Sequence, residues 1–368
     1  MARVGIVGLG TMGLGIAQVF AQAGHAVSAT DARPAARDGA PERLAAALER
    51  RVAAGRMTPE AATETVARLA VVEGIDGFAL CDLVLEAVVE DAGVKTTLLR
   101  AAEAAQPGAV LATNTSALSV TALAEGLDDP ARLVGLHFFN PAPAMRLVEL
   151  VATPHSDAAA LARARALAEA AGKTVIACAD RPGFIVNRVA RPFYGEALAI
   201  LEEGRHDPWQ IDAALVAAGY RLGPFSLIDL VGADINLAAT EGVARAMDGH
   251  PRYHVFDALR AQVAAGALGR KTGRGFVWPD PLPAAPADAD TIVERLAATL
   301  ANEAAWLLAE GGTDAAGIDT ALRLGLNFPR GPLEGAPADT PAILARLAAA
   351  APKHLRGRYT PAPRFARA

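Results

Sequence analysis

A short apolar run, Arg3 to Val7, leads straight into Gly8-Leu9-Gly10-Thr11-Met12-Gly13, after which Ile16, Val19 and Phe20 recur at helical spacing. Strand, glycine turn and helix in so few residues commit the chain to the first β-α step of a doubly wound parallel sheet. Gly8 permits the tight turn, Gly10 lets backbone approach a pyrophosphate, and Gly13 lets the helix pack close on the strand. The helix start, with Thr11 and Met12, then faces the phosphate charge. Gly24 ends that helix, and a second strand, Ala26 to Thr30, finishes at Asp31, 18 positions after Gly13. An acid there accepts hydrogen bonds from ribose hydroxyls and repels a 2'-phosphate, so the expected cofactor is NAD rather than NADP, with Arg33 as a mild counter-signal.

Further strand-like runs fall at Leu69 to Val72, Asp82 to Ala87, Val110 to Thr113, Leu133 to His137, Leu147 to Val151 and Thr174 to Ala177, mostly with helical segments between them. This alternation predicts an α/β fold with an N-terminal Rossmann-type sheet. The Ala-, Leu- and Arg-rich stretch from about Pro41 to Leu69, broken by Gly55 and Thr58-Pro59-Glu60, predicts two antiparallel helices projecting from it. After Arg181-Pro182-Gly183 the strand signals fade and the chain becomes helical, and Pro279 to Ala289 reads as a semi-extended linker. Beyond the linker the helical segment repeats. Ile185-Val186-Asn187-Arg188 pairs with Ile292-Val293-Glu294-Arg295, Glu196-Ala197 with Glu303-Ala304, Glu203-Gly204 with Glu310-Gly311 and Ile211-Asp212 with Ile318-Asp319, all at one offset. One inserted residue later, Gly223-Pro224 pairs with Gly331-Pro332. The expected domains are therefore a nucleotide-binding domain over 1–183, an all-α domain over 184–280 and a degenerate all-α repeat over 290–350.

Charge excludes some functions. With 35 basic against 40 acidic residues and a net charge of -5, the 368-residue chain lacks the basic footprint of a nucleic-acid binder. Two widely separated cysteines, Cys81 and Cys178, supply neither a metal-ligand pair nor a disulfide framework, and they fit a reducing cytoplasm. No metal site is expected. No signal core or long uncharged apolar run is present, so neither secretion nor a membrane partner is expected.

A dehydrogenase also needs a group to accept the hydroxyl proton. His137, where an apolar strand runs into Phe138-Phe139-Asn140-Pro141, lies at the carboxyl edge of the sheet, where such folds bind ligands. Glu149 interrupts the apolar run Leu147 to Val151, and a carboxylate there costs several kcal/mol, roughly, unless it is paired. An antiparallel return across the Pro141 to Pro143 turn would set it behind the imidazole, fixing the tautomer and stabilising the imidazolium. Ser116, in Thr113-Asn114-Thr115-Ser116, reads equally as a site residue or as the N-cap of a helix from Leu118; Asn187, near a helix start, reads equally as site or cap.

Together these residues resemble the L-3-hydroxyacyl-CoA dehydrogenase family, from Arg3 to about Trp278. Further motifs that carry the resemblance are Glu86-Ala87-Val88-Val89-Glu90 with Lys95, Leu222-Gly223-Pro224-Phe225 with Asp229, and Leu268 to Phe276. The resemblance implies NAD-dependent oxidation of a 3-hydroxyacyl-CoA to the 3-ketoacyl-CoA. It makes His137 the general base, Glu149 its partner, and Ser116 and Asn187 the hydrogen-bonding groups around the reacting oxygen and acyl group. It also makes Glu90, Lys95, Ser116, Asn140 and Lys271 contacts to the nicotinamide end of the cofactor; without it, Lys95 and Lys271 read as solvated surface lysines. The helical hairpin matches the family region that lies along CoA. An acyl-CoA is thus the expected partner, with a homodimer or an internally paired pseudo-dimer as the assembly. The chain departs from the family after residue 280, where Glu294 stands for Asn187 and no second Leu268 to Phe276 segment follows. Two other readings stay open: a dehydrogenase of a free hydroxy or sugar acid, and a non-catalytic NAD-binding scaffold.

Overall fold

A computed structural model describes residues 1–366, which divide into two compact units, Met1–Arg181 and Pro182–Ala368 as the chain runs. The second unit takes in both the all-α segment and the segment after the linker.

The first unit is built on an eight-stranded sheet of β1 (Arg3–Val7), β2 (Ala26–Thr30), β3 (Leu69–Val71), β4 (Leu83–Glu86), β5 (Val110–Thr113), β6 (Leu133–Phe138), β7 (Leu147–Ala152) and β8 (Thr174–Ala179), in the order β3-β2-β1-β4-β5-β6-β7-β8. All neighbours pair in parallel except β6 and β7, which are antiparallel. The central strands are buried on both faces, which is why they read as near-continuous apolar runs. Ile16, Val19 and Phe20 of the helix Thr11–Gln22 seal one face. The strand order reverses between β1 and β4, and the crevice beyond the carboxyl ends of such strands is the ligand site of this architecture.

The helical hairpin comprises Ala40–Ala53 and Pro59–Ala67; Thr58 caps the second helix by accepting from Ala61 N at 3.2 Å, and Pro59 sits at its first turn. Leu44 and Leu48 bury the inner face of the first helix.

The second unit is helical. Its long helix Ala289–Glu310 packs on Arg191–Glu202, and the charged residues paired there recur at the 107-position offset of the repeat. Arg188 pairs with Glu303 at 2.8 Å and with Glu310 at 2.6 Å, while Arg295 pairs with Glu196 at 2.7 Å and with Glu203 at 2.7 Å. Two further partners complete each half. Tyr253 and Arg252 reach Glu303 at 2.5 and 3.0 Å, and Tyr359 and Arg358 reach Glu196 at 2.9 and 2.9 Å. Residue i on one segment meets j on the other and j meets i, the reciprocity of a twofold contact. Burial pushes the Glu196 carboxyl up, but Arg295 and Arg358 outweigh it and hold it below its ordinary value.

Asp212 accepts from the backbone N–H groups of Phe225 and Ser226, and Asp319 accepts likewise from Leu333 and Glu334. A Cβ on Gly223 would lie 2.3 Å from the Asp212 carboxyl carbon, and one on Gly331 would lie 2.3 Å from that of Asp319, so both turns require glycine. Asp229 accepts from Phe276, Val277 and Trp278 N–H groups at 2.8–2.9 Å, which explains why that acid and the Gly269 to Phe276 segment occur together. Among the described residues no helix is long and apolar enough to cross a membrane.

Candidate active site

The antiparallel register of β6 and β7 sets Glu149 directly opposite His137, because side chains opposite one another in a ladder share a face. His137 Nδ1 and Glu149 Oε2 lie 2.7 Å apart, with Glu149 fully buried and His137 6% exposed. A neutral imidazole donates from Nδ1 to the carboxylate, which leaves Nε2 as the basic nitrogen. Phe139 packs its ring 4.5 Å from the imidazole, and Asn114 at the end of β5 takes the Phe138 N–H at 2.8 Å, tying β6 to its neighbour. Asn140 is exposed on the turn that follows.

A connected polar network lies at the carboxyl ends of β4 and β5. Lys95, 1% exposed and therefore no surface lysine, donates to both oxygens of buried Glu86 at 3.0 and 2.9 Å and lies 3.2 Å from Glu90. Glu90 accepts from Thr115 Oγ1, Ser116 N and Ala117 N at 2.6, 2.9 and 3.1 Å. Burial raises the Glu90 carboxyl, while the Thr115 hydroxyl and the Lys95 ammonium more than offset it and hold it below its ordinary value. Ser116 is no helix cap: Ser119 caps the helix Val120–Ala124 by accepting from Ala122 N at 3.1 Å, and Ser116 sits in the loop before it, its N–H on Glu90. Glu86 holds Lys95 in place, and its only signal in the sequence is a carboxylate closing an otherwise apolar strand.

The nucleotide end fits a dinucleotide. Gly8 has φ +100° and abuts Ala87, a Cβ on Gly13 would strike the Gly8 carbonyl oxygen at 1.8 Å, and Gly10, which caps the helix Thr11–Gln22, has open space where a Cβ would be. Thr11 is exposed and Met12 half-buried in the first turn. Asp31 accepts from Leu9 N at 2.8 Å and Arg33 N at 2.9 Å; burial raises its carboxyl, yet these N–H groups and the Arg33 guanidinium hold it below the usual value.

Asn187 and Lys271 lie in the second unit. Asn187 is half-buried in the short helix Val186–Val189, and Lys271 is exposed, held by both oxygens of Asp234 at 2.5 and 2.7 Å. The structure therefore brings His137 to Glu149, and Glu90, Lys95 and Ser116 to one another, within the first unit.

Residues 3–181 match the family model "3-hydroxyacyl-CoA dehydrogenase, NAD binding domain", and residues 183–278 and 292–352 match "3-hydroxyacyl-CoA dehydrogenase, C-terminal domain". A 3-hydroxyadipyl-CoA dehydrogenase of Escherichia coli is 43% identical over 278 residues, 75% of this chain, and the match spans 58% of that relative's length. A 3-hydroxybutyryl-CoA dehydrogenase of Mycobacterium tuberculosis is 39% identical over 279 residues, covering 74% of this chain and 97% of its own. The crystal structure of a 3-hydroxybutyryl-CoA dehydrogenase from Escherichia coli superposes with a TM-score of 0.88 at 31% identity, over 99% of this chain and 97% of that one.

Proposed function

Because the chain belongs to the 3-hydroxyacyl-CoA dehydrogenase family, we propose that it oxidises an L-3-hydroxyacyl-CoA to the 3-ketoacyl-CoA, in fatty-acid or aromatic-acid breakdown, with His137 as general base. The observation that carries this reading is the buried 2.7 Å pair of His137 and Glu149 at the carboxyl edge of the sheet. NAD, when bound, accepts the hydride from C3. Gly8, Gly10, Thr11, Met12 and Gly13 would hold its phosphates and Asp31 its ribose, and Glu90, Lys95, Ser116, Asn140 and Lys271 would serve its nicotinamide end. Nε2 of His137 takes the hydroxyl proton, and the Glu149 carboxylate stabilises the imidazolium that results. The Ser116 hydroxyl and the Asn187 amide donate to the substrate oxygens as charge develops there. The relatives named above act on short-chain or dicarboxylic thioesters, and both are candidate substrates here. The cysteines, Cys81 half-buried and Cys178 buried, are both free thiols, in keeping with a cytoplasmic enzyme.

His137→Gln should lower kcat at saturating NAD by about 10⁴-fold, with NAD affinity nearly intact, because the base acts at the hydroxyl and not at the dinucleotide. The assay pairs acetoacetyl-CoA with free acetoacetate. Turnover of the free acid alone would refute the thioester reading, and near-normal kcat in the variant would refute the base.

We further propose that residues 292–352 are a degenerate copy of the segment 183–278 and pair with it as an internal pseudo-dimer. The reciprocal ion pairs of Arg188 and Arg295 support this, since a lone copy would leave its buried carboxylates and apolar face uncovered.

A further inference from the structure

Arg191 is a buried arginine with no carboxylate among its hydrogen-bond partners. It opens the helix Arg191–Glu202, one turn after Asn187, and is 6% exposed. Its Nε donates to the Asn187 carbonyl at 2.7 Å and its Nη1 to Thr240 Oγ1 at 2.9 Å, and its guanidinium lies 5.0 Å from the centre of the Tyr194 ring. Among the described residues no carboxylate pairs with it, and Nη2 has no protein acceptor. Burial holds it below the ordinary guanidinium range, with only Tyr194 acting the other way. A buried cation without a counterion is costly, and proteins normally pair or hydrogen-bond it fully.

An unsatisfied group lies on the helix that Arg191 bonds to through Thr240. Asn236 is 5% exposed, and its buried Oδ1 has no hydrogen-bond partner. It sits one turn before Thr240 on the helix Ala233–Ala246, and Thr240 Oγ1, which takes the Arg191 Nη1–H, donates to the Asn236 carbonyl at 2.8 Å. Thr240 Oγ1 thus links the Arg191 guanidinium to the helix turn that carries Asn236, and an amide turned about its axis offers N–H in place of oxygen.

The internal repeat retains some of the polar residues of this region and not others. At the same offset, Arg188, Glu196, Glu203 and Asp212 all recur, as Arg295, Glu303, Glu310 and Asp319. Asn187 and Arg191 do not; Glu294 and the buried Ala298 replace them. In the second segment one unbroken helix, Ala289–Glu310, runs through the matching position.

We propose that Arg191, with Asn236 beside it, binds a carboxylate at the far end of the acyl chain and so selects 3-hydroxyacyl thioesters of dicarboxylic acids. This rests on the acyl-CoA reading above and on Asn187 facing the acyl group. Asn187 and Arg191 stand one helical turn apart, and the Arg191 side chain reaches back to the Asn187 carbonyl, so both lie on one face of the helix start. Arginine suits the task because its planar fork grips both carboxylate oxygens, whereas a methyl end would leave the buried charge unanswered.

The test compares 3-hydroxyadipyl-CoA with 3-hydroxyhexanoyl-CoA, equal in length and differing in carboxylate against methyl. The full-length protein should prefer the dicarboxylic thioester by about 100-fold in kcat/KM. Arg191→Met should bring that ratio to within about 3-fold of unity, through loss on the dicarboxylic substrate, and Arg191→Lys should restore part of it. A ratio near unity in the unaltered protein overturns the proposal without any variant. So does an equal loss on both thioesters in Arg191→Met or Arg191→Lys, which would mark the arginine as structural. Absence of turnover on either thioester, with activity on a free hydroxy acid, would instead remove the thioester reading on which the proposal rests.

Discussion

The two helical segments matched by one family model, 183–278 and 292–352, differ in a patterned way. Residues that meet across the contact are retained: Arg188 and Arg295, Glu196 and Glu303, and Glu203 and Glu310 hold one another in reciprocal pairs. The turn device is retained as well, with Asp212 and Asp319 each taking two backbone N–H groups from the start of the following segment. The positions of Asn187 and Arg191 and the whole of Leu268 to Phe276 are not repeated. On the reading proposed above, one segment carries both packing and chemistry, and the other carries packing alone.

The strongest way to break this comparison is to remove the second segment. Truncation after Asp280 deletes Arg295, Arg358 and Tyr359, every partner of the Glu196 side chain, and uncovers the helix Arg191–Glu202. The truncated protein should self-associate or aggregate by light scattering, with His137 chemistry surviving in whatever fraction stays folded. A soluble, active protein of unchanged oligomeric state would show that the second segment covers nothing.

Smaller and more symmetrical effects come from the carboxylates themselves. Glu196 is fully buried and Glu303 is 1% exposed, each among two arginines and a tyrosine. Glu196→Gln and Glu303→Gln should each cost about 3–5 kcal/mol, because each leaves one buried guanidinium, Arg358 or Arg252, without a carboxylate. Chemical denaturation should give two values within about 1 kcal/mol of each other. A large cost at one site and none at the other would mean the two halves are not equivalent.

The finest distinction concerns the turn acids. Burial pushes Asp212 up to about 6, against the hydrogen bonds from Ser226 and Phe225, and it raises Asp319 as well. A carboxyl whose folded value lies above its unfolded one binds its proton more tightly when folded, so its contribution is complete below about pH 4 and is lost as pH rises through 6. The deficit of Asp212→Asn relative to the unaltered protein should therefore be larger at pH 4 than at pH 7, by up to roughly 3 kcal/mol. Asp319→Asn should show the same sign and a smaller span, since Asp319 is 7% exposed where Asp212 is fully buried. Urea midpoints at the two pH values measure both, and a reversed sign would overturn the argument.

Much of this was legible along the chain because the physics is local. A glycine that must adopt φ +100° and a glycine whose Cβ would strike a carbonyl are compulsory wherever a strand turns into a helix on itself, so Gly8 and Gly13 announce the nucleotide crevice without any tertiary information. Glu149 was legible for a related reason: a carboxylate inside an apolar strand needs a buried partner, and one short turn brings it to His137. The repeat could be read as far as Gly331-Pro332 because single-residue offsets survive in helices.

What remained hidden depended on approaches between distant segments. Lys95 reads as a surface lysine until Glu86 and Glu90 close around it. Ser116 reads as a cap until Ser119 is seen to cap instead and Glu90 to hold the Ser116 N–H. Arg358 and Tyr359 carry no signal beyond an Arg-Tyr dipeptide, and only the fold sets them on Glu196 as Arg252 and Tyr253 sit on Glu303. The isolation of Arg191 could not be read at all, because the absence of a counterion is a property of the whole surrounding volume. Sequence by itself determined the backbone turns and the residues that must be paired; tertiary structure decided which partner each one meets, because burial makes an unpaired charge costly only once the packed neighbours have excluded water.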